Sequence, residues 1–265
     1  MEARVARISI APVKSLGLLH PEDVLLEQGG VRGNRRFWLV DADGRLYNNK
    51  RNGPMVRIAP QWDEVTRELT LTFPDGSIAG GVVELGEDVA AVMYKHPHPS
   101  RRVLGPWESA ISDYVGAPLT LLYANEHAVD RGYRGGTVSL ISRASLEKLR
   151  EEAGAGAQVD GRRFRMLFEI DGVDPHEEDE WLGTQVRVGD ATIVLNGDVG
   201  RCLVTSHDPD TGVTDLDTLG TLAGYRREGR NEPLPFGVYG AVAVPGRVRV
   251  GDAVQPLQDR LLAAT

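Results

Sequence analysis

The stretch Asp198-Val-Gly-Arg-Cys-Leu-Val-Thr-Ser-His-Asp-Pro-Asp-Thr-Gly212 carries Cys202, the single cysteine of a 265-residue chain. Gly200 and Arg201 come just before it, and a β-branched run follows. That run predicts a strand over 201–205, and 208–212 reads as the turn that ends it. Gly200 lets the backbone approach a ligand closely or take positive φ. A guanidinium beside a thiol favours the thiolate. The stretch therefore admits a cysteine that ligates a soft metal or attacks an electrophile. The plain alternative is a buried cysteine acting as a small hydrophobe, and a lone cysteine is often no more than that. The rest of the chain has to decide between them.

Outward from this stretch, strands dominate. In the first half, apolar alternation and turn residues predict strands over 4–10, 23–27, 36–41, 55–59, 68–73, 81–85 and 118–123. Asp41-Ala-Asp-Gly44 reads as a turn, with 45–49 returning as a hairpin partner. Trp107, Ile111 and Val115 lie four apart and predict a helix over 107–115. In the second half, strands are expected over 137–141, 165–170, 185–188 and 191–195. A helix is expected over 143–153, with Leu146 and Leu149 on its apolar face and Ser142 as N-cap. A short helix over 217–226 and a closing hairpin of 238–244 with 247–250 complete the pattern. The polar, glycine-rich stretch 125–136 marks a boundary between domains 1–125 and 126–265. Many short strands with few short helices predict a mainly β, two-domain protein built from barrels rather than a doubly wound sheet.

Composition narrows the function. The chain is 41% hydrophobic and 26% charged, which is globular. With 30 Lys and Arg against 38 Asp and Glu, the formal charge is −8, a poor starting point for nucleic-acid binding. One cysteine excludes an internal disulfide and fits a reducing compartment. The N-terminus has no apolar signal region, and no apolar run approaches the ~18–20 residues of a membrane span. The expectation is a cytoplasmic protein with neither a nucleic-acid nor a membrane partner. P-loop, dinucleotide-fingerprint, His-Glu-x-x-His, Cys-x-x-Cys and Gly-x-Ser-x-Gly patterns are all absent. The acidic run 174–180 reads as a solvated loop, because its charges are contiguous and lack calcium-loop spacing. His207 reads as a supporting group or as surface. Lys14, Arg36, Arg51, Arg165 and Arg201 fall in loops or at strand edges. Fixed guanidinium forks suit phosphate recognition. Singly each reads as surface charge, and only a fold that gathers them on Cys202 makes them a site.

Several short pieces carry a resemblance. They are Pro12-Val-Lys-Ser15, Gly33-Asn-Arg-Arg-Phe-Trp-Leu-Val40, the segment 51–54, Leu140-Ile-Ser-Arg-Ala-Ser-Leu146 and Arg163-Phe-Arg165. Glu178-Asp-Glu-Trp181, Val188-Gly-Asp190, Arg201-Cys202, Asp208-Pro-Asp-Thr-Gly212 and Pro235-Phe-Gly-Val-Tyr239 follow. In order and spacing they resemble the MOSC superfamily, the domain at the C-terminus of molybdenum-cofactor sulfurases. The chain is more similar to the branch with an added N-terminal domain, typified by mitochondrial amidoxime-reducing components and bacterial relatives. The resemblance implies an N-terminal β-barrel-like domain followed by a C-terminal MOSC β-barrel. It implies a molybdenum cofactor of the molybdopterin type, with Cys202 as metal ligand and catalytic residue. Lys14, Ser15 and Arg36 would hold its phosphate and pterin from the N-terminal side, with Arg51 in a matching segment. Ser142, Arg165, Gly200 and Arg201 would contribute from the other side, and Tyr239 matches a tyrosine near the metal.

One departure stands out. The family commonly reads Arg-Pro-Asn where this chain has Arg165-Met-Leu167, so a polar contact to the pterin is lost or supplied elsewhere. The implied activity is reduction of N-hydroxylated or N-oxide small molecules. No ferredoxin extension or membrane anchor is read, so electrons are expected from a separate flavin, iron–sulfur or haem protein. The alternatives are a cofactor or sulfur carrier that uses Cys202, and a non-catalytic relative.

Overall fold

The computed structural model describes residues 2–125, 129, 136–230 and 232–260. Most of the expected boundary stretch 125–136 lies outside the described residues. The first half forms β1 (Arg4–Ile8), β2 (Asp23–Glu27), β3 (Gly30–Val31), β4 (Phe37–Val40), β5 (Leu46–Tyr47) and β6 (Ala59–Asp63). It continues with β7 (Glu68–Thr72), β8 (Ile78–Val82), β9 (Glu84–Met93), β10 (His96–Leu104), α1 (Trp107–Val115) and β11 (Thr120–Ala124). The second half forms β12 (Val138–Ser142), α2 (Arg143–Ala153), β13 (Phe168–Asp171), β14 (Thr184–Val188) and β15 (Ala191–Gly200). It ends with α3 (Thr218–Tyr225), β16 (Pro235–Val244), β17 (Gly246–Arg249) and β18 (Val254–Arg260). The chain is mainly β with short helices, as the sequence predicts. None of its described helices is long and apolar enough to cross a membrane.

Two cores organise these elements. Strands in the order β1-β13-β12-β16-β15-β14-β18 make a sheet that curls into a half-barrel. Its concave face buries Phe168, Ile170, Val186, Ile193 and Val238. The N-terminal barrel combines the order β5-β4-β11-β10-β9 with β6-β7-β8 around Phe37, Leu39, Met55, Leu69 and Ile111. Trp107 sits in this core with its indole N–H on the Leu69 carbonyl at 3.0 Å, which pins α1 to β7.

The two halves are interleaved. In β1, Arg4 lies opposite Asp171 and Ile8 opposite Phe168, so the first strand is an edge of the C-terminal sheet. β2 pairs with β17, Leu26 facing Gly246. Val5, Ile8, Val24 and Leu26 are buried in the C-terminal core.

Four local expectations are corrected. The strand expected over 55–59 begins only at Ala59: Gly53–Arg57 is a 3-10 turn with Pro54 in its first turn, where a fixed φ suits a helical start. The strand expected over 165–170 begins only at Phe168, because Arg165 has φ 53° and breaks extension. The strand expected over 201–205 is instead a 3-10 turn, Leu203–Ser206, with Cys202 as its N-cap residue. β16 and β17 do not form a hairpin, since β17 crosses to β2.

Candidate functional site

A cavity of about 520 Å³ opens between the two halves. β15 runs along its wall and delivers Gly200, Arg201 and Cys202 at its end. The Cys202 carbonyl accepts from the backbone N–H and from the hydroxyl of Thr205, both at 3.0 Å. The Thr205 carbonyl in turn accepts from the Thr218 hydroxyl of α3 at 2.8 Å. The turn is thus anchored from behind while the thiol stays exposed. Cys202 is not a buried small hydrophobe.

Gly200 is needed for close approach rather than for positive φ. A Cβ there would lie 2.8 Å from the Glu232 Cβ and 3.0 Å from the Pro233 carbonyl oxygen. Arg201 acts as a brace. Its guanidinium donates to the Phe236 carbonyl (2.8 Å), the Phe164 carbonyl (3.1 Å) and the Met166 sulfur (3.1 Å), and sits 5.1 Å over the Phe164 ring.

Two arginines stitch the halves together beside the cavity. Arg165 donates to the Leu16 carbonyl at 2.7 Å, and Arg35 donates to the Arg165 carbonyl at 2.7 Å. Arg163 is buried in a fork with Asp215, at 2.6 and 2.7 Å. Ser15 (φ 78°), Arg35 (53°), Tyr94 (60°) and Arg165 (53°) all hold left-handed backbone and all line this one cavity. Each such residue costs about 1–2 kcal/mol, and strain of this kind gathers where a ligand fixes the geometry. A further seam is backbone on backbone. A Cβ on Gly53 would stand 1.9 Å from the Gly212 carbonyl oxygen, and one on Gly212 (φ 74°) would stand 2.1 Å from Gly53 backbone atoms.

Six of the expected site residues converge here: Lys14, Ser15, Arg165, Gly200, Arg201 and Cys202 line the cavity. The other four lie elsewhere. Arg36 stacks 4.7 Å over Tyr123 and donates to the Ala124 carbonyl at 2.9 Å. Arg51 pairs with Asp41 at 2.6 Å and lies 4.5 Å over Tyr47. Ser142 is buried as the N-cap of α2, accepting from the Ser145 N–H at 3.0 Å. Tyr239 packs with Met166 and Val199 in the cluster behind the cavity wall. Sequence reasoning missed Asn34, Arg35, Asn49, Lys50, Lys95 and Arg163, which also line it. Asn34, Arg35 and Arg163 had a signal, their places in quoted motifs; Asn49, Lys50 and Lys95 had none. His207 is buried, not surface, and faces a second hollow of about 380 Å³ that shares Arg163 and Arg165 with the first.

The cavity is electropositive. Among the described residues, Lys14, Arg35, Lys50, Lys95, Arg163, Arg165 and Arg201 line it against one carboxylate, Glu232, in a chain of formal charge −8. Such a concentration attracts an anion. Among the described residues no group of three or more His, Cys, Asp and Glu is placed to hold a metal. A metal at Cys202 would therefore take its other ligands from an organic group. An exposed thiol as soft donor, a serine and several cations fit a phosphate-bearing pterin that carries a soft metal.

The acidic run is only partly a solvated loop. Glu178 is fully buried and accepts from the Ser142 N–H (3.2 Å) and the Ser145 hydroxyl (2.8 Å), which ties the run to the start of α2. Asp179 pairs with Arg226. Burial raises the Glu178 pKa above the ordinary glutamate range. The native state then binds this proton more tightly than the unfolded chain. The resulting stabilisation is present in acid and is lost as pH rises through the raised pKa. Glu178→Gln keeps the acceptor oxygen without the charge. Its stability relative to wild type is expected to grow as pH rises above the ordinary glutamate range, measured by urea unfolding. A difference that does not change with pH would refute this.

The family model described as MOSC domain matches residues 129–255, and the one described as MOSC N-terminal beta barrel domain matches residues 2–95. Mitochondrial amidoxime-reducing component 1 of Mus musculus is 38% identical over 122 residues, covering 43% of this chain and 35% of that protein. The Homo sapiens protein of the same name is 34% identical over 123 residues, covering 43% and 35%. Molybdenum cofactor sulfurase of Oryza sativa subsp. japonica is 26% identical over 257 residues, covering 83% of this chain and 30% of that protein. The chain spans about a third of the length of these curated relatives. With both regions matched in order, and with the barrel and half-barrel they describe in the structure, the chain belongs to the MOSC family and carries a MOSC N-terminal β-barrel ahead of its MOSC domain.

Proposed function

We propose that this protein is a molybdenum-cofactor-dependent oxidoreductase that reduces N-hydroxylated or N-oxide substrates with electrons from a separate flavin, iron–sulfur or haem protein. The observation that carries this reading is an exposed thiol, Cys202, on the wall of an electropositive cavity of about 520 Å³. The similarity to amidoxime-reducing components supports it. In this reading Cys202 ligates the metal, while Lys14, Ser15 and Arg165 meet the phosphate and pterin. When bound, the cofactor supplies the redox centre for a two-electron, two-proton cleavage of an N–O bond that releases water.

The protein's share is positioning. Arg201 holds three wall segments together through Phe236, Phe164 and Met166. Met166 and Leu167 are buried in the two C-terminal clusters and offer the pterin no polar group. Asn34, Asn48 and Asn49 line the same cavity. In this reading the polar contact missing from the Arg165-Met-Leu167 departure comes from them. We place the protein in the cytoplasm, whose reducing conditions keep Cys202 a thiol.

The similarity to a molybdenum cofactor sulfurase across 83% of this chain favours a second reading, in which Cys202 carries cofactor or sulfur for delivery. One experiment separates the two. The protein, made in a host that synthesises the cofactor, is assayed for molybdenum and for benzamidoxime reduction with a chemical reductant. Tightly held metal with turnover supports the reductase. Metal or sulfur that exchanges onto an acceptor protein without turnover supports the carrier.

A further inference from the structure

The cations of the cavity fall into two groups. The inner ones are committed to the walls or, for Lys14, to the cofactor in the proposed reading: Arg35 to the Arg165 carbonyl, Arg163 to Asp215, Arg165 to the Leu16 carbonyl, and Arg201 to Phe236 and Phe164. Lys50 and Lys95 differ. Both side chains are exposed, both line the cavity, and both come from the N-terminal half. Lys50 sits in the turn after β5, where its backbone N–H is fixed on the Asn48 side chain at 3.1 Å. Lys95 sits at the tip of the β9–β10 hairpin, next to Tyr94, which is 64% exposed and held at φ 60°. The β9–β10 hairpin is tied to the turn that opens β5: the Val92 N–H donates to the Gly44 carbonyl at 2.9 Å, and Arg45 bridges to Val92. Two ammonium groups and an aromatic ring from the N-terminal half thus line the same cavity as Cys202. No requirement of the wall explains their charge. In a chain of formal charge −8, a doubly cationic mouth stands out from its surroundings.

We propose that Lys50 and Lys95 form a selectivity rim that recognises an anionic group, carboxylate or phosphate, on a planar N-hydroxylated substrate whose ring lies against Tyr94. The inference rests on the reductase reading and names its substrate class. The N-terminal barrel supplies the choice of substrate, while the C-terminal half-barrel supplies Cys202. Two exposed ion pairs are together worth about tenfold in affinity and are screened by salt.

The test is equilibrium binding, so it does not depend on turnover. Purified full-length protein, loaded or not, is titrated calorimetrically with 4-carboxybenzamidoxime and with neutral benzamidoxime. Wild type is expected to bind the carboxylated probe about tenfold more tightly. The advantage is expected to shrink to about twofold or less in Lys50→Ala/Lys95→Ala, and likewise in high salt. Molybdenum per chain, measured on the same samples, tells whether the lysines serve a substrate or the cofactor's own phosphate. Equal binding of the two probes by wild type overturns the proposal, as does an advantage that survives the double substitution. So does a loss of molybdenum in the double variant, which assigns the lysines to the cofactor. Selective binding without any turnover keeps the rim and refutes the reductase reading instead.

Discussion

Cys202→Ala is expected to leave the fold intact and, in the proposed reading, to empty the protein of molybdenum. The thiol is exposed and lies outside all four buried clusters, so its loss opens no cavity in a core. Unfolding midpoints should agree with wild type to within about 0.5 kcal/mol, as for other surface substitutions. Metal content should fall from about one per chain to near zero, because Cys202 is the single cysteine and no group of three or more His, Cys, Asp and Glu among the described residues could hold the metal in its place. Benzamidoxime reduction should fall by at least about a hundredfold. Cys202→Ser is the sharper variant. It keeps a donor of similar size, but a hydroxyl is a poor ligand for a soft metal at neutral pH, so it should behave like alanine. Metal retained at wild-type level in both variants would remove Cys202 from the site.

Gly212→Ala should act in the opposite way, on the fold first and on the site through it. The residue holds φ 74°, which costs a side chain about 1–2 kcal/mol. Its new methyl would also stand 2.1 Å from Gly53 backbone atoms, and backbone cannot rotate away as a side-chain tip can. A total destabilisation of about 2–4 kcal/mol is expected, read from urea unfolding. Gly53→Ala meets the Gly212 carbonyl at 1.9 Å and should cost a similar amount. Once the seam has been pushed open, the second methyl meets less resistance. The double variant should therefore cost less than the two single variants added together. Either single variant falling within about 0.5 kcal/mol of wild type would show that the seam is soft. The seam joins the turn that follows Lys50 to the loop that follows Cys202. Loss of molybdenum in Gly212→Ala should therefore accompany the loss of stability, rather than occur alone as expected for Cys202→Ala.

Elements with one strong periodic signal were legible in the sequence. The apolar repeat of Trp107, Ile111 and Val115 marks α1 to the residue, and the Ser142 cap marks the start of α2. β2 was also read at its observed ends. Errors arose where a residue's identity argued one way and its surroundings another. Val204 and Thr205 favour extension, yet hydrogen bonds from Thr205 to the Cys202 carbonyl curl the chain into a 3-10 turn and push the thiol outward. Arg165 looks like the start of a strand, but its left-handed backbone turns its guanidinium onto Leu16. The β9–β10 ribbon was not seen, because Pro97, Pro99 and polar residues interrupt its alternation; that omission hid Tyr94 and Lys95. Cys202, Lys14 and Ser15 were legible through motifs. The rim was not, since nothing local distinguishes Lys50 or Lys95 from any exposed lysine.

The placement of β1 has a consequence for how the molecule is made. Arg4–Ile8 leaves the ribosome well before its pairing partner in the sheet, Phe168–Asp171. β2 waits longer still, for Gly246–Arg249. Contacts so distant in sequence are slow to form, because a long loop must close before they contribute anything. The N-terminal barrel, built from residues close in sequence, can mature during synthesis with its leading segment left hanging. The half-barrel cannot close until β18 has emerged. Its Val5 and Ile8 spend that interval as a bare apolar tether, which is the segment a nascent-chain chaperone would be expected to hold.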